Sequence, residues 1–336
     1  MKKILVTGGC GYIGSHTIVD LVENGYEVVS IDNFSNSKPK VLEGIKDTLN
    51  QSITNFELDL CDKNALFDFF KNQNDIDGII HFAAFKYVNE SVEKPLAYYQ
   101  NNLLSLINLL EACEKFEINN FVFSSSCSVY GNAKKLPVDE SAPLVKPESP
   151  YANTKVIGEQ IIEDFVKTAK VKTSLLRYFN PVGAHPKGKI GENPEGFPQN
   201  IIPRLTGTAL GKFDQFVVAG TDYNTPDGSC VRDYIHVSDI AHAHTLALKW
   251  LNKQNEKTCE VFNLGTGKGT SVLELIHTFE AATGEKLNYT LGKRRPGDVE
   301  AIYADNKKAR NELGWETKFS LKEMMKSAWE WEKKNN

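Results

Sequence analysis

Three things are missing from this 336-residue sequence: a long apolar run, a cysteine pattern, and a surplus of one charge. No apolar stretch approaches the roughly 20 residues that a membrane span requires, so no membrane partner is expected. The six cysteines, at positions 10, 61, 113, 127, 230 and 259, form no CxxC pair and no cluster. In a chain long enough to bury its own core, that usage excludes a disulfide framework and fits a reducing compartment. The apolar run after Lys2 and Lys3 is only Ile4-Leu5-Val6, too short for a signal-peptide core, so a cytoplasmic location is expected. Lysine and arginine number 39 against 43 aspartate and glutamate, a net charge of −4 that leaves no excess for a nucleic-acid backbone. Histidine offers no metal site: His242 and His244 are two apart on a predicted helix, pointing to different sides, and no HExxH occurs.

What is present is the composition of a globular protein, 41% hydrophobic and 24% charged, at a length that suggests about two domains. Over the first 130 residues, short β-branched runs alternate with helical patterns. Residues 4–6, 27–31, 53–58, 78–82 and 121–124 read as buried strands, and 14–24, 63–72 and 95–116 as helices. That alternation specifies βαβ units, hence an α/β protein with a doubly wound, Rossmann-type parallel sheet. A helix over 152–170 and a strand over 173–178 continue the pattern. A segment rich in Pro, Gly and Asn, 181–203, then breaks it. This sets residues 1–180 as a first domain built on that sheet and 181–336 as mainly a second, smaller α/β domain. The helix 241–251 and strand 260–264 suit a return of about 232–265 to the first sheet. Residues 321–331 form an amphipathic helix whose stripe of Leu321, Met325, Ala328 and Trp329 reads as core.

Directly after the first strand comes Thr7-Gly8-Gly9-Cys10-Gly11-Tyr12-Ile13-Gly14, which holds a G-x-x-G-x-x-G spacing and, from Gly9, G-x-G-x-x-G. Glycines there let the chain turn tightly and bring backbone N–H groups and a helix N-terminus up to a pyrophosphate. By themselves they would mark only a turn. The strand before, the helix after and an acid ending the second strand supply the context of a dinucleotide site. That acid is Asp32, 18 residues beyond Gly14, where a carboxylate accepts the adenosine ribose hydroxyls and repels a 2′-phosphate. NAD, not NADP, is the expected cofactor. Gly8, Gly11, Tyr12, Ile13, Gly14, Asp32 and the adjoining Asn33 are its candidate ligands, and Asp59-Leu60 is placed to meet the adenine.

Tyr151-Ala152-Asn153-Thr154-Lys155 puts a phenol and an ammonium four residues apart on one helical face. Such a pair is common by chance, as a surface tyrosine after Pro150 and a solvated lysine. Ser124-Ser125-Ser126 gives it meaning, because this run ends a strand at the carboxyl edge of the sheet, where such folds bind ligands. A nearby ammonium and an oxidised nicotinamide both favour phenolate, so the Tyr151 pKa is expected to fall from about 10 and make it a base for an alcohol proton. Lys155 can also reach the nicotinamide ribose, with the Ser126 hydroxyl on the proton's route.

These residues resemble the extended short-chain dehydrogenase/reductase superfamily. More narrowly, His81-Phe82-Ala83-Ala84-Phe85-Lys86, Tyr98-Tyr99-Gln100-Asn101-Asn102, Ser124 to Gly131, Arg177 to Ala184 and Val231-Arg232-Asp233-Tyr234-Ile235-His236-Val237 resemble the UDP-glucose 4-epimerases, nearly end to end. The resemblance implies a tightly held NAD, reduced and reoxidised within each turnover that interconverts UDP-glucose and UDP-galactose. Tyr151 would remove the C4 proton, and the 4-keto sugar would swing about its pyrophosphate link and take the hydride back on its other face. By the same resemblance Phe82, Ala83, Lys86, Asn101, Ser124 and Phe179 line the cofactor, and Asn180, Asn200, Arg232, Arg295 and Asp298 hold the sugar nucleotide. Arginines suit a bidentate grip on a diphosphate, although a lone arginine is more often an exposed ion pair. Arg294 is left unassigned. In this family the residue four beyond the Asp of an Arg-Pro-Gly-Asp-like segment gates the sugar's C2 substituent, which places Ile302 at the gate. An N-acetyl sugar would then be tolerated, unless Ile302 is simply a core residue. In an extended segment Tyr303 would face the other way.

Two rivals remain in view. A nucleotide-sugar dehydratase or decarboxylase also begins with C4 oxidation, but dehydration needs an acid after the strand-end serines, where this chain has Cys127 and Ser128. A non-catalytic NAD-sensing module could dispense with Tyr151, Lys155 and Ser126, yet all three are present. Apolar residues on more than one stripe of the helices at 95–116 and 152–170, among them Leu104, Ile107, Ile157 and Ile161, point to a homodimer, the pairing that the resemblance also implies.

Overall fold

β1 (Lys3–Thr7) sends its side chains alternately into two cores, Ile4 and Val6 into one and Leu5 into the other. A strand buried on both faces needs helices on both sides, and the chain supplies them. The computed structural model describes residues 1–335 apart from Lys146, Glu195, Pro296 and Gly297. Onward from β1 the order is α1 (Tyr12–Glu23), β2 (Glu27–Ile31), α2 (Lys40–Leu49), β3 (Thr54–Phe56), α3 (Lys63–Asn72), β4 (Ile76–His81), α4 (Val88–Glu93), α5 (Pro95–Lys115), β5 (Asn120–Ser126), α6 (Pro150–Thr168) and β6 (Lys172–Tyr178). There follow β7 (Asn180–Val182), α7 (Ile201–Ala209), β8 (Phe216–Ala219), β9 (Val231–Arg232), β10 (Tyr234–His236), α8 (Val237–Lys253), β11 (Cys259–Leu264), β12 (Thr270–Ser271), α9 (Val272–Thr283), β13 (Tyr289–Gly292), β14 (Ala301–Ile302) and α10 (Leu321–Lys334).

Seven strands form one sheet in the order β11-β6-β5-β4-β1-β2-β3, every pair parallel. The strand order reverses between β1 and β4, the switch point at which doubly wound sheets open a crevice. There the Thr7 hydroxyl meets His81 Nδ1 at 2.8 Å. After β6 the chain builds small sheets, β10-β7, β12-β9-β14 and β13-β8, around a third core centred on Leu205, Phe279, Met325 and Trp329. α8 and β11 lie against the large sheet, whereas β9 and β10 belong to the small ones.

Helix boundaries follow local chemistry. α6 begins two residues before the expected start because Ser149 Oγ accepts from Ala152 N–H and Pro150 stands in the first turn. α8 begins at Val237 because His236 Nδ1 accepts from Ser238 N–H. The strand expected over 53–58 shortens to β3, at the sheet edge. α2, α4, α7 and α9 are additions to the helices that the sequence predicts.

Burial leaves several histidines uncharged: it pushes His16 and His81 down to about 3, and His236 and His244 to about 4. His244 donates from Nδ1 to Ile240 O at 2.8 Å and packs beside Phe82 and Tyr178. Below its ordinary value of 6.5 the unfolded chain binds a proton that folded His244 refuses until about pH 4. Its contribution is therefore whole above 6.5 and is lost toward 4, by about 1.4 kcal/mol per pH unit. Asp239, pushed up to about 6 by burial, works in the opposite sense. His244→Phe keeps a ring in place and removes the titration. We expect this variant to lose less stability than wild type between pH 7 and 5 in urea unfolding; parallel losses would refute the account.

Candidate active site

α1 starts at the carboxyl end of β1 with Gly11 as its cap, so no side chain occupies its first N–H groups and no acid stands in its first turn. Those donors face a cavity of about 1050 Å³, and an uncapped helix N-terminus is what a pyrophosphate requires. The glycines are required sterically. Gly8 has φ +68°, and a Cβ there would lie 2.8 Å from Ala83 N; one on Gly14 would lie 2.2 Å from Gly8 O. Asp32 is buried at the end of β2, with Oδ2 accepting from Cys10 N–H (2.9 Å) and Oδ1 from Phe34 N–H (2.9 Å) and Ser37 Oγ (2.8 Å). These bonds hold the carboxylate at the rim. The residues present therefore fit NAD.

Every candidate residue from the sequence lines this one cavity: the glycine turn, Asp32, Asn33, Asp59, Leu60, Phe82, Ala83, Lys86, Asn101, Ser124, Ser126, Tyr151, Lys155, Phe179, Asn180, Asn200, Arg232, Arg295, Asp298 and Ile302. Tyr12 contributes in a further way, since its hydroxyl donates to Gly183 O at 2.5 Å and ties the glycine turn to the segment after β7. Of the Arg-Pro-Gly-Asp segment, Pro296 and Gly297 lie outside the described residues.

Around Tyr151 the structure corrects one expectation. Burial pushes its phenol up to about 12, with the Ser126 hydrogen bond opposing. Lys155 does not offset this, because its Nζ is turned toward the strand and donates to Ser124 O at 2.6 Å, 4.9 Å from the centre of the Phe123 ring. Burial lowers Lys155 itself to about 8 while Glu159 opposes the fall. The protein frame alone thus keeps the phenol protonated. Ser126 caps the 3₁₀ turn Cys127–Tyr130, accepting from Ser128 N–H at 3.2 Å.

On the opposite wall Arg232 and Arg295 share one carboxylate. Arg232 Nη2 is 3.3 Å from Asp298 Oδ1, and Arg295 Nε is 3.8 Å from Oδ2. Ile302 pairs in register with Arg232 through β14 and β9, and is buried against Phe179 and Val129. Tyr303 does not line the cavity; its ring lies by Gly269. Arg294 is an exposed partner of Asp222, Nε to Oδ1 2.7 Å. Sequence reasoning missed Glu192, a buried carboxyl in the cavity that accepts from Asn200 Nδ2 (2.5 Å) and stands 3.7 Å from Lys86 Nζ. A lone acid in a Pro- and Gly-rich segment offers no periodicity by which to find it.

A family profile described as GDP-mannose 4,6 dehydratase matches residues 5–328. A UDP-glucose 4-epimerase of Bacillus subtilis is 47% identical over 334 residues, covering 99% of this chain and 97% of that protein. The crystal structure of UDP-glucose-4-epimerase from Stenotrophomonas maltophila, with bound NAD and formylated UDP-arabinopyranose, superposes with a TM-score of 0.96 at 41% identity, covering 100% of this chain and 99% of that one. The UDP-Glc/GlcNAc 4-epimerase of Campylobacter jejuni gives a TM-score of 0.85 at 37% identity, with 99% and 100% covered. Among the described residues no helix is long and apolar enough to cross a membrane, and no group of three or more His, Cys, Asp or Glu could hold a metal ion.

Proposed function

The chain belongs to the UDP-glucose 4-epimerases of the extended short-chain dehydrogenase/reductase superfamily, and from that membership we propose how its own residues divide the reaction. It interconverts UDP-glucose and UDP-galactose by transient C4 oxidation, with NAD as cofactor. One observation carries the assignment of roles: the glycine turn, the Tyr151, Lys155 and Ser126 group and the Arg232 and Arg295 pair all open into a single cavity. Bound along Gly8, Gly11 and Asp32, NAD supplies the hydride acceptor and, when oxidised, the positive charge that a buried phenol needs to ionise. Tyr151 takes the C4 hydroxyl proton and later returns it, with Ser126 beside it to share the hydrogen bond. Lys155, anchored on Ser124 O, would hydrogen-bond the nicotinamide ribose. Arg232 and Arg295 hold the diphosphate while the 4-keto sugar turns over, a motion that requires few fixed contacts to the sugar itself.

The family profile bears a dehydratase's description, but Cys127 and Ser128 supply no acid at the strand end, and burial raises the Cys127 thiol to about 12. Glu192, a buried acid across the cavity from Tyr151, is engaged by Asn200 and Lys86. Residues 1–180 with the return of about 232–265 form the NAD side in this reading, and the rest of 181–336 the sugar-nucleotide side; α8 and β11 on the large sheet support it. Six free thiols fit a reducing compartment such as the cytoplasm.

Three experiments test these roles. Purified protein given UDP-galactose without added cofactor is expected to yield UDP-glucose with no net NADH, and Tyr151→Phe to lower kcat by at least ~10²-fold; normal turnover in that variant would sink the base assignment. Ile302 is shorter than tyrosine and leaves room for an acetamido group without offering it a hydrogen bond, and one relative acts on UDP-GlcNAc by name. Turnover of UDP-N-acetylglucosamine should therefore be measurable, and Ile302→Tyr should lower it relative to UDP-glucose by roughly tenfold or more; a wild type inert toward the N-acetyl sugar rejects the gate. Leu104 and Ile107, each over a third exposed on α5 beside α6, support a homodimer. Sedimentation is expected to give a dimer mass, against which a concentration-independent monomer would count.

A further inference from the structure

Behind the cavity wall lies a second polar layer that the reaction leaves without a task. Side chains alternate along β5, so Ser124 and Ser126 face the cavity and Ser125 faces away from it. The Ser125 hydroxyl donates to Glu159 Oε1, and Glu159 stands one turn beyond Lys155 on α6. Arg177, the register partner of Ser125 on β6, grips the same carboxylate with a fork, Nε to Oε1 2.9 Å and Nη2 to Oε2 2.5 Å. Its Nη1 donates to the Tyr130 hydroxyl (2.9 Å), which donates in turn to Asn263 Oδ1 (2.7 Å). Glu159 is 1% and Arg177 4% exposed. A buried ion pair adds little stability over packed apolar side chains, so its presence calls for a geometric reason.

The reason is visible in the seam between α6 and β5. Two rungs join helix to strand: Lys155 to Ser124 O on the cavity side, and Glu159 to Ser125 directly behind. We propose that Glu159 is a positioning residue for proton transfer, setting through Ser125 the distance between the helix that bears Tyr151 and Lys155 and the strand end that bears Ser124 and Ser126. Arg177 keeps the carboxylate aimed. The inference rests on the roles given above to Tyr151, Lys155 and Ser126. Glu159 also acts on Lys155 through space, favouring its ammonium form against burial. The other titratable groups around that pair are Tyr151 on α6, His81 at the end of β4, Tyr178 at the end of β6, Cys127 and Tyr130 beyond β5, and Cys259 on β11. None of them is altered in the test.

The test compares Ser125→Ala, Glu159→Gln and the double variant Glu159→Gln/Arg177→Met, which removes both buried charges together. For each, the thermal midpoint, the NAD retained on purification, and kcat and KM for UDP-galactose from pH 6 to 10 are measured. Ser125→Ala is expected to keep its midpoint and NAD and to hold KM within about twofold while kcat falls about threefold or more, since small misplacements of reacting groups are costly. In Glu159→Gln the alkaline limb of the kcat profile should also move to lower pH, by about half a unit or more, because Lys155 loses the carboxylate that favours its charge, whereas the double variant, which removes opposite charges together, should keep that limb while kcat still falls. A folded, NAD-loaded double variant whose kcat coincides with wild type overturns the proposal. If that variant does not fold, an unchanged kcat in Ser125→Ala overturns it alone. Retained turnover in Tyr151→Phe strikes instead at the underlying roles, whatever the Glu159 series gives.

Discussion

Seven parallel strands must all end on the same edge, and the rest of the molecule is arranged around that edge. A parallel sheet cannot be joined by hairpins, so every connection crosses a face and re-enters at the opposite end. The carboxyl ends therefore gather one residue set after another without any of them being near in sequence: the glycine turn after β1, Asp32 after β2, Phe82 after β4, Ser124 and Ser126 at the end of β5, Phe179 after β6. Reversal of strand order between β1 and β4 parts the flanking helices and makes the edge a crevice. The small sheets then close one side of it, tied to the glycine turn by the Tyr12 hydroxyl on Gly183 O.

Charge inside this frame is handled by over-satisfaction. Asp233, fully buried, accepts from Thr266 N–H and hydroxyl, Gly267 N–H and Ala304 N–H, and so fixes β9 and β10 to the loop after β11 and the chain after β14. Burial still raises its carboxyl against those bonds. Lys155 has a carbonyl and a ring face but no contacting carboxylate, and its pKa falls. The contrast is one of purpose: a carboxylate bonded on every side organises backbone, whereas an ammonium left partly unsatisfied is available to a ligand.

Much of this was legible in the sequence because the signals are local. The glycine spacing, a strand before it and an acid 18 residues on require only neighbours along the chain, and they predict β1, α1 and β2, with Asp32 following β2. α9 carries a local signal of its own, Ser271 three residues before Glu274 at its start and Gly284 just past its end. α2 too carries a readable helical stripe, Val41, Leu42, Ile45 and Leu49, packed on the first core. The two- to four-residue strands of the small sheets exist only through their partners. Helical spacing put Tyr151 and Lys155 on one face, yet it could not say that the lysine would turn to Ser124 O and leave the phenol to the effect of burial.

In the role proposed for Arg232 and Arg295, the Asp298 carboxylate that they share would temper their attraction for a diphosphate. Two guanidinium groups facing an empty cleft would draw in any phosphate and release it slowly. With Asp298 between them, both cations are already partly answered, and an incoming diphosphate gains only the difference between one anionic partner and another. Exchange of partners replaces capture. A nucleotide that brings no uridine or sugar contact of its own gains little there, and a finished product can yield its place to Asp298 and leave.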